Sequence, residues 1–271
     1  LGPLGPVGSP AGRVTEIRAD LLAGDPAVAA ALAGADAVFH LAGRPGVRDA
    51  GPAADAARVR DNVLATATVL DLVPRDVPLV VTSSSSVYGG AAGRPSREDD
   101  PLRPLGAYAR SKAMVEQLCA GRPVAVLRPF TVAGEGQRPD MALARWIDAV
   151  RAGRPIRILG SPARTRDVTD VRDLVRAARL AAERGVTGPL NVGTGRPRTL
   201  AELAGSVCRV LSAPAELVVG PAAAVEPAAT WADATRLGRT LGFVPVTDLD
   251  ALVARQAFAG VAAPEPALAA G

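Results

Sequence analysis

The sequence predicts an α/β protein built on a doubly wound parallel sheet, followed by a small C-terminal lobe. Three observations carry that expectation. From Val14 to about Leu190 short apolar runs alternate with longer amphipathic stretches, which is how a parallel sheet with crossover helices reads. After Gly153 the alternation loses its regularity, as a separate lobe would. The 271 residues are 48% apolar, enough to bury a full core in one large domain or in a domain plus a lobe.

The elements follow in order. Apolar runs at Val14 to Ile17, Ala37 to Leu41, Leu79 to Thr82 and Val124 to Leu127 are expected as strands. Amphipathic stretches at Asp25 to Leu32, Arg58 to Leu72, Tyr108 to Ala120 and Asp140 to Ala152 are expected as helices. Beyond Gly153 come a run at Ile156 to Leu159, helices at Val171 to Arg184 and Leu200 to Leu211, a run at Glu216 to Val219, and a last helix over Leu249 to Phe258. On this reading residues 1–132 and 160–195 form the α/β core, residues 133–159 and 196–260 form the lobe, and the Ala/Pro-rich residues 261–271 are a disordered tail. Sheets of this kind bind ligands beyond the carboxyl ends of their strands, so the segments directly after each run are where chemistry is expected.

Composition narrows the classes. No uninterrupted apolar stretch approaches the ~18 residues of a membrane span, and the first thirty residues do not read as an export signal. A cytoplasmic protein with no membrane partner is the expectation. Cys119 and Cys208 have no metal-ligand or disulfide spacing, and there is one histidine, so no metal site is expected. The net charge of +4 comes from arginines scattered along the chain, with aromatics at 3%. That balance suits a small anionic ligand and argues against nucleic acid.

The strongest constellation is Tyr108-Ala-Arg-Ser-Lys112 at the start of a helix, preceded by Ser83 to Ser86 directly after the Leu79 to Thr82 run. A spacing of four puts Tyr108 and Lys112 on one helix face. An ammonium within ~4–6 Å favours the phenolate and can lower a tyrosine by roughly one to three pH units, which makes it a usable base. Lys112 is the only lysine in a chain that otherwise uses arginine, and it falls four residues after one of two tyrosines. A compact ammonium is not interchangeable with a planar guanidinium at such a place.

Together with these residues, a series of segments resembles the extended short-chain dehydrogenase/reductases, and within them the NAD-dependent epimerase/dehydratase family with its nucleotide-sugar 4-epimerases. The segments are Thr82-Ser-Ser-Ser-Ser-Val-Tyr-Gly89, Asp20-Leu21, His40-Leu-Ala-Gly43, Asn62-Val-Leu-Ala-Thr66 and Leu127-Arg-Pro-Phe-Thr-Val132 with Gly134 and Gly136-Gln137. Arg166-Asp-Val-Thr-Asp-Val171, Asn191-Val-Gly-Thr-Gly195 and Trp231-Ala-Asp233 complete it, so that the likeness runs from about Val14 to Phe243.

The resemblance implies a Rossmann-like fold, NAD as cofactor with NADP as the alternative, and a nucleotide-diphosphate sugar as substrate. It implies Ser84, Tyr108 and Lys112 as catalytic residues, with Tyr108 taking the proton from a sugar hydroxyl as hydride leaves the same carbon. It places Asp20, Leu21, Leu41, Ala42, Gly43, Asn62, Ser83, Tyr108 and Lys112 at the cofactor. Ser84, Ser85, Thr131, Arg138, Arg166 and Glu226 fall at the substrate. It also implies a homodimer, formed through the helices at Arg58 to Leu72 and Tyr108 to Ala120. His40 reads equally as a core histidine, and Arg138 equally as a solvated loop arginine.

Dehydratases of the family carry Asp-Glu between the catalytic serine and Val-Tyr-Gly, and its decarboxylases carry a glutamate there. Ser85 and Ser86 occupy those places, and neither is a competent acid, which leaves 4-epimerisation through a transient 4-keto sugar or reduction of a nucleotide-4-ketosugar by NADPH. The family also opens with a strand, a GxxGxxG turn, a helix and a second strand, and on this reading the chain begins after them. Gly2-Pro-Leu-Gly-Pro-Val-Gly8 has the glycine spacing, but prolines crowd it, and neither a strand before nor a helix after it is expected. Either the natural product is longer, or, as the alternative reading, the chain is a catalytically silent relative that binds a nucleotide sugar or a protein partner.

Overall fold

The computed structural model describes residues 14–46, 51–222 and 225–259. The Gly2 to Gly8 motif and the expected tail at 261–271 lie outside the described residues.

Four parallel strands form the central sheet in the order β1 (Val38–His40), β2 (Leu79–Thr82), β3 (Val124–Pro129), β8 (Gly188–Val192). Alternate side chains of these runs point to opposite faces, and each face has its own cover. Leu79, Val81, Val124 and Val126 pack with Val69 and Leu70 of helix α3 (Ala65–Leu72) and Val115 and Cys119 of α4 (Gly106–Cys119). Val80, Ala125 and Leu127 point the other way, onto Ala177, Ala178, Ala181 and Ala182 of α6 (Val171–Glu183) and Leu237 and Leu241 of α8 (Thr235–Leu241). Helices on both faces make the sheet doubly wound, as expected.

A second core lies beyond it. Leu143, Trp146, Ile147 and Val150 of α5 (Ala142–Arg151) pack with Ile156 and Ile158 of β5 (Ile156–Leu159). Leu203, Ala204 and Val207 of α7 (Leu200–Val210) and Leu252, Val253 and Ala257 of α9 (Leu249–Phe258) close the same core. Helix starts carry their own signals: Thr199 and Glu202 form a capping box at α7, and Asp170 and Asp248 cap α6 and α9. Strand β10 (Leu217–Gly220) pairs in parallel with β5, and β4 (Thr131–Ala133) pairs in parallel with β7 (Val168–Asp170). The antiparallel pair β6 (Thr165–Arg166) and β9 (Arg198–Thr199), with α1 (Pro26–Ala33) near the start of the chain, completes the list.

Two expectations need correction. The run at residues 14–17 is not a strand: Val14 and Ile17 are exposed, and the ladder on that side of the sheet ends at β1. An apolar run becomes a strand only where another backbone accepts its hydrogen bonds, and none of the described residues does so. The helix expected from Arg58 starts earlier and is not uniform. It begins as α2 (Pro52–Arg58), widens to a π-helical turn over Val59–Leu64, and continues as α3.

Candidate active site

A cleft of about 1200 Å³ opens where β1, β2 and β3 end and the second core begins. Its floor is built from the segments after the strands. Beyond β2 the chain passes through Ser84, in extended conformation, into a short 3-10 turn over Ser85–Tyr88 that ends on Gly89 at φ 73°. A side chain at Gly89 would put its Cβ 2.2 Å from the Arg103 carbonyl oxygen, so only glycine closes this turn.

What holds the turn is a buried polar network. Ser83 Oγ donates to Glu116 Oε1 (2.5 Å), and Arg128 Nε donates to the same carboxylate at 2.9 Å. Arg128 also donates to the Tyr88 hydroxyl (2.8 Å), which donates to Asn191 Oδ1 (2.7 Å). Burial pushes Tyr88 up to about 12 against the opposing pull of Arg128, so this tyrosine stays protonated and structural. Burial works against charge on Arg128 too, but Glu116 and Tyr88 outweigh it and hold the guanidinium protonated. A second buried carboxylate, Asp167, ties the far wall by accepting from Thr194 N (2.8 Å), Thr194 Oγ1 (2.6 Å), Gly195 N (2.9 Å) and Ala232 N (3.0 Å).

On this frame Ser84 Oγ accepts from the Ser86 backbone N–H (3.2 Å), and Tyr108 lines the same cleft floor. Burial raises Tyr108 above the usual tyrosine value, while Ser84 and then the Arg138 guanidinium pull it back. Lys112 Nζ donates to the Thr82 carbonyl oxygen (2.7 Å), and the groups that bear on Tyr108 are burial, Ser84 and Arg138. Burial also brings Lys112 down to about 8.

Behind Lys112 lies the turn after β1. Asn62, in the π-helical turn, accepts from Arg44 N (2.6 Å) and donates to Arg44 O (3.2 Å) and Ser111 Oγ (2.8 Å). The extra residue of a π turn is what aims its amide at this loop. Gly43 fits beneath it because a Cβ there would lie 2.7 Å from Asn62 Oδ1 and 3.7 Å from Lys112 Nζ. His40 is a core histidine: Thr66 Oγ1 donates to Asn62 O (2.6 Å), so His40 Nε2 is the donor in its 2.9 Å bond to Thr66 Oγ1. Burial, with the Lys112 charge nearby, pushes His40 down to about 4 and keeps it neutral at pH 7.

Of the remaining residues expected at the site, Leu41, Gly43, Ser83, Ser85, Thr131, Arg138, Arg166 and Glu226 all line the cleft. Ala42 does not line it, and Asn62 stands behind it as the support of the Gly43 turn. Asp20 also lies off the cleft wall, where its exposed carboxylate accepts from Leu22 N (3.0 Å) and pairs with Arg60, and Leu21 packs on the apolar face beneath α3 and α4. Glu116 is not among the residues the sequence pointed to, and Asp167 stands there only within the Arg166 to Val171 segment, with no role given to it. The signal for Glu116 was a carboxylate on α4 one turn past Lys112, on the face that the apolar pattern assigns to the core.

The floor fits a nicotinamide dinucleotide. Gly43 leaves a hollow that any side chain would fill, Leu41 presents an apolar surface that is 65% exposed, and Lys112 spends one of its three donors on Thr82.

Known proteins give the same picture. The chain is 32% identical over 250 residues to the uncharacterized UDP-glucose epimerase YtcB of Bacillus subtilis, covering 89% of this chain and 78% of that protein. It superimposes on MoeE5 in complex with UDP-glucose and NAD with a TM-score of 0.82 and 37% identity, over 92% of this chain and 86% of that one. With the UDP-glucuronic acid 4-epimerase of Bacillus cereus, in complex with UDP-glucuronic acid and NAD, the TM-score is 0.81 and the identity 30%, over 89% and 79% of the two chains. Residues 7–193 match the model of a single enzyme family, and on that match and these likenesses the chain belongs to the NAD dependent epimerase/dehydratase family.

Proposed function

We infer that the protein is an NAD-dependent nucleotide-sugar 4-epimerase acting on a hexose or hexuronate through a transient 4-keto sugar. The observation that carries this reading is the convergence of Ser84, Tyr108 and the buried Lys112 on one cleft floor, with no carboxylate at positions 85 and 86. NAD supplies the hydride acceptor and donor when bound. Tyr108 takes the C4 hydroxyl proton and later returns it, and Ser84 donates to the same oxygen. Leu41, Gly43 and Lys112 would hold the dinucleotide. Thr131, Arg166 and Glu226 would hold the nucleotide sugar.

The cleft favours an anionic sugar. Arg44, Arg138, Arg145, Arg154, Arg157 and Arg166 line it against the two carboxylates Asp140 and Glu226, and a guanidinium near Tyr108 is a bidentate partner for a hexuronate carboxylate. Incubation with NAD and UDP-glucuronate, followed by proton NMR of the anomeric signal, is expected to give the 4-epimer with no accumulation of NADH. Turnover only of a 4-keto sugar with NADPH would replace this reading with the reductase.

Lys112 sets a pH limit on cofactor binding. Its proton leaves at about 8, so above that value the charge and one donor are lost and NAD affinity falls. Calorimetry should find weaker NAD binding at pH 9 than at pH 7, with Lys112→Met weak and flat across the same interval.

We further infer a homodimer. Val59 and Leu64 on the π turn and Met114 and Leu118 on α4 expose 38–50% of their surface along two helices that pack together, an apolar strip that a second copy would cover in isologous fashion. Leu118→Glu is expected to yield monomers by light scattering, where the unaltered protein elutes as a dimer.

A further inference from the structure

The cleft wall that carries Arg138 hangs on the last described helix. Residues 134–138 are held from two helices: Arg172 of α6 pairs with Glu135 (2.5 Å), and α9 supplies the side-chain amide. Gln256 Nε2 donates to Gln137 Oε1 (2.8 Å), and Gln256 Oε1 accepts from the Gly134 backbone N–H (3.3 Å). Gln137 passes the constraint on by donating its own Nε2 to the Val132 carbonyl oxygen (2.8 Å), which belongs to β4. One residue earlier on the same helix, Arg255 pairs with Asp170 and, at 3.4 Å, with Glu135. Helix α9 is itself anchored, since Leu252, Val253 and Ala257 are buried in the second core. Arg138 has no comparable hold: its guanidinium contacts Asp140 (3.2 Å) in a pair that is 44% and 63% exposed.

We propose that Gln256 is a positioning residue for the sugar subsite, whose amide fixes the segment at residues 134–138 and thereby keeps Arg138 directed at the reacting end of the cleft beside Tyr108. This rests on the epimerase reading for its chemistry, but its geometry stands without it. One side-chain amide satisfies a backbone donor and a side-chain acceptor at once, so removing it loosens Gly134 and Gln137, the residue next to Arg138, while Glu135 keeps its pairs with Arg172 and Arg255. The C-terminal helix touches no reacting atom, yet it governs where the sugar's anionic group is met. A displacement of this kind changes rate through alignment and leaves the reacting groups intact.

The test uses Gln256→Met, which keeps length and packing and removes both hydrogen bonds, beside Arg138→Met. The first readout needs no turnover: ultraviolet titration of tyrosinate in the full chain, with the corresponding Tyr108→Phe background subtracted so that Tyr88 drops out. Because the Arg138 charge lowers Tyr108, both variants are expected to move its midpoint upward, by roughly 0.5 pH unit. The second readout is steady-state kinetics with UDP-glucuronate, where Gln256→Met should lower kcat/KM about ten-fold while the unfolding midpoint stays unchanged. A Tyr108 midpoint that moves in Arg138→Met but not in Gln256→Met overturns the proposal, and so does one that moves in neither. A titration shift in both variants, with no turnover by the unaltered protein, would sink the epimerase reading and leave the positioning role standing.

Discussion

Replacing Tyr108 with phenylalanine is expected to lower kcat by a factor of about 10³, the scale of a lost general acid–base group, with the fold intact. Tyr108 lines the cleft floor with Ser84 and Arg138. Burial raises the phenol, so without partners it would be a poorer base than free tyrosine, and Ser84 and the Arg138 charge pull it back. Removing the hydroxyl is expected to change stability by about 1 kcal/mol or less. Turnover within ten-fold of the unaltered enzyme would mean that the base lies elsewhere. Equal circular dichroism and unfolding midpoints are the control that assigns the loss to chemistry.

The largest stability effect is expected away from that phenol, in the network beneath it. Arg128→Met should destabilise the protein by about 3–5 kcal/mol, because it strands a buried carboxylate. Side-chain exposures of 5% for Arg128 and 9% for Glu116 leave little water to replace the lost partner. The Ser83, Tyr88 and Glu98 backbone contacts of the same network lose their organiser as well. Guanidinium titration measures the loss directly. The double change of Arg128 and Glu116 to methionine should recover much of it, since the isolated charge is then gone; a double variant no more stable than the single would place the cost in packing.

Both predictions rest on residues whose legibility in the sequence was unequal. The sheet and its two layers of helices could be read because β2 and β3 alternate their apolar side chains between faces and each run is bounded by turn residues. Tyr108, Lys112 and Ser84 could be read because a lone lysine and a serine run at the end of a strand are conspicuous. Residues 14–17 misled because alternation reports the preference of a segment but not the presence of a ladder partner. For Lys112, helical spacing gives the shared face with Tyr108 but not the direction in which a long flexible stem sends its ammonium, here to the Thr82 carbonyl. Glu116 and Gln256 were hidden for a common reason: each acts on a partner between 12 and 122 residues away, and a single sequence carries no local pattern for such pairings.

The π-helical turn at Val59–Leu64 limits how this gene product can vary in length. A π turn holds one residue more than an α-helical path between the same ends, so deleting a single residue between Arg58 and Ala65 would let the helix relax to ordinary winding without breaking it. The flanking α2 and α3 would keep their places, and only the side chains of the turn itself would change direction. The Asn62 amide would swing off the Arg44 loop and off Ser111, and the Gly43 hollow would lose its roof. Point substitutions on the outer surface of this helix are tolerable, whereas insertions and deletions in it are not, and indel tolerance should therefore drop sharply across these six residues.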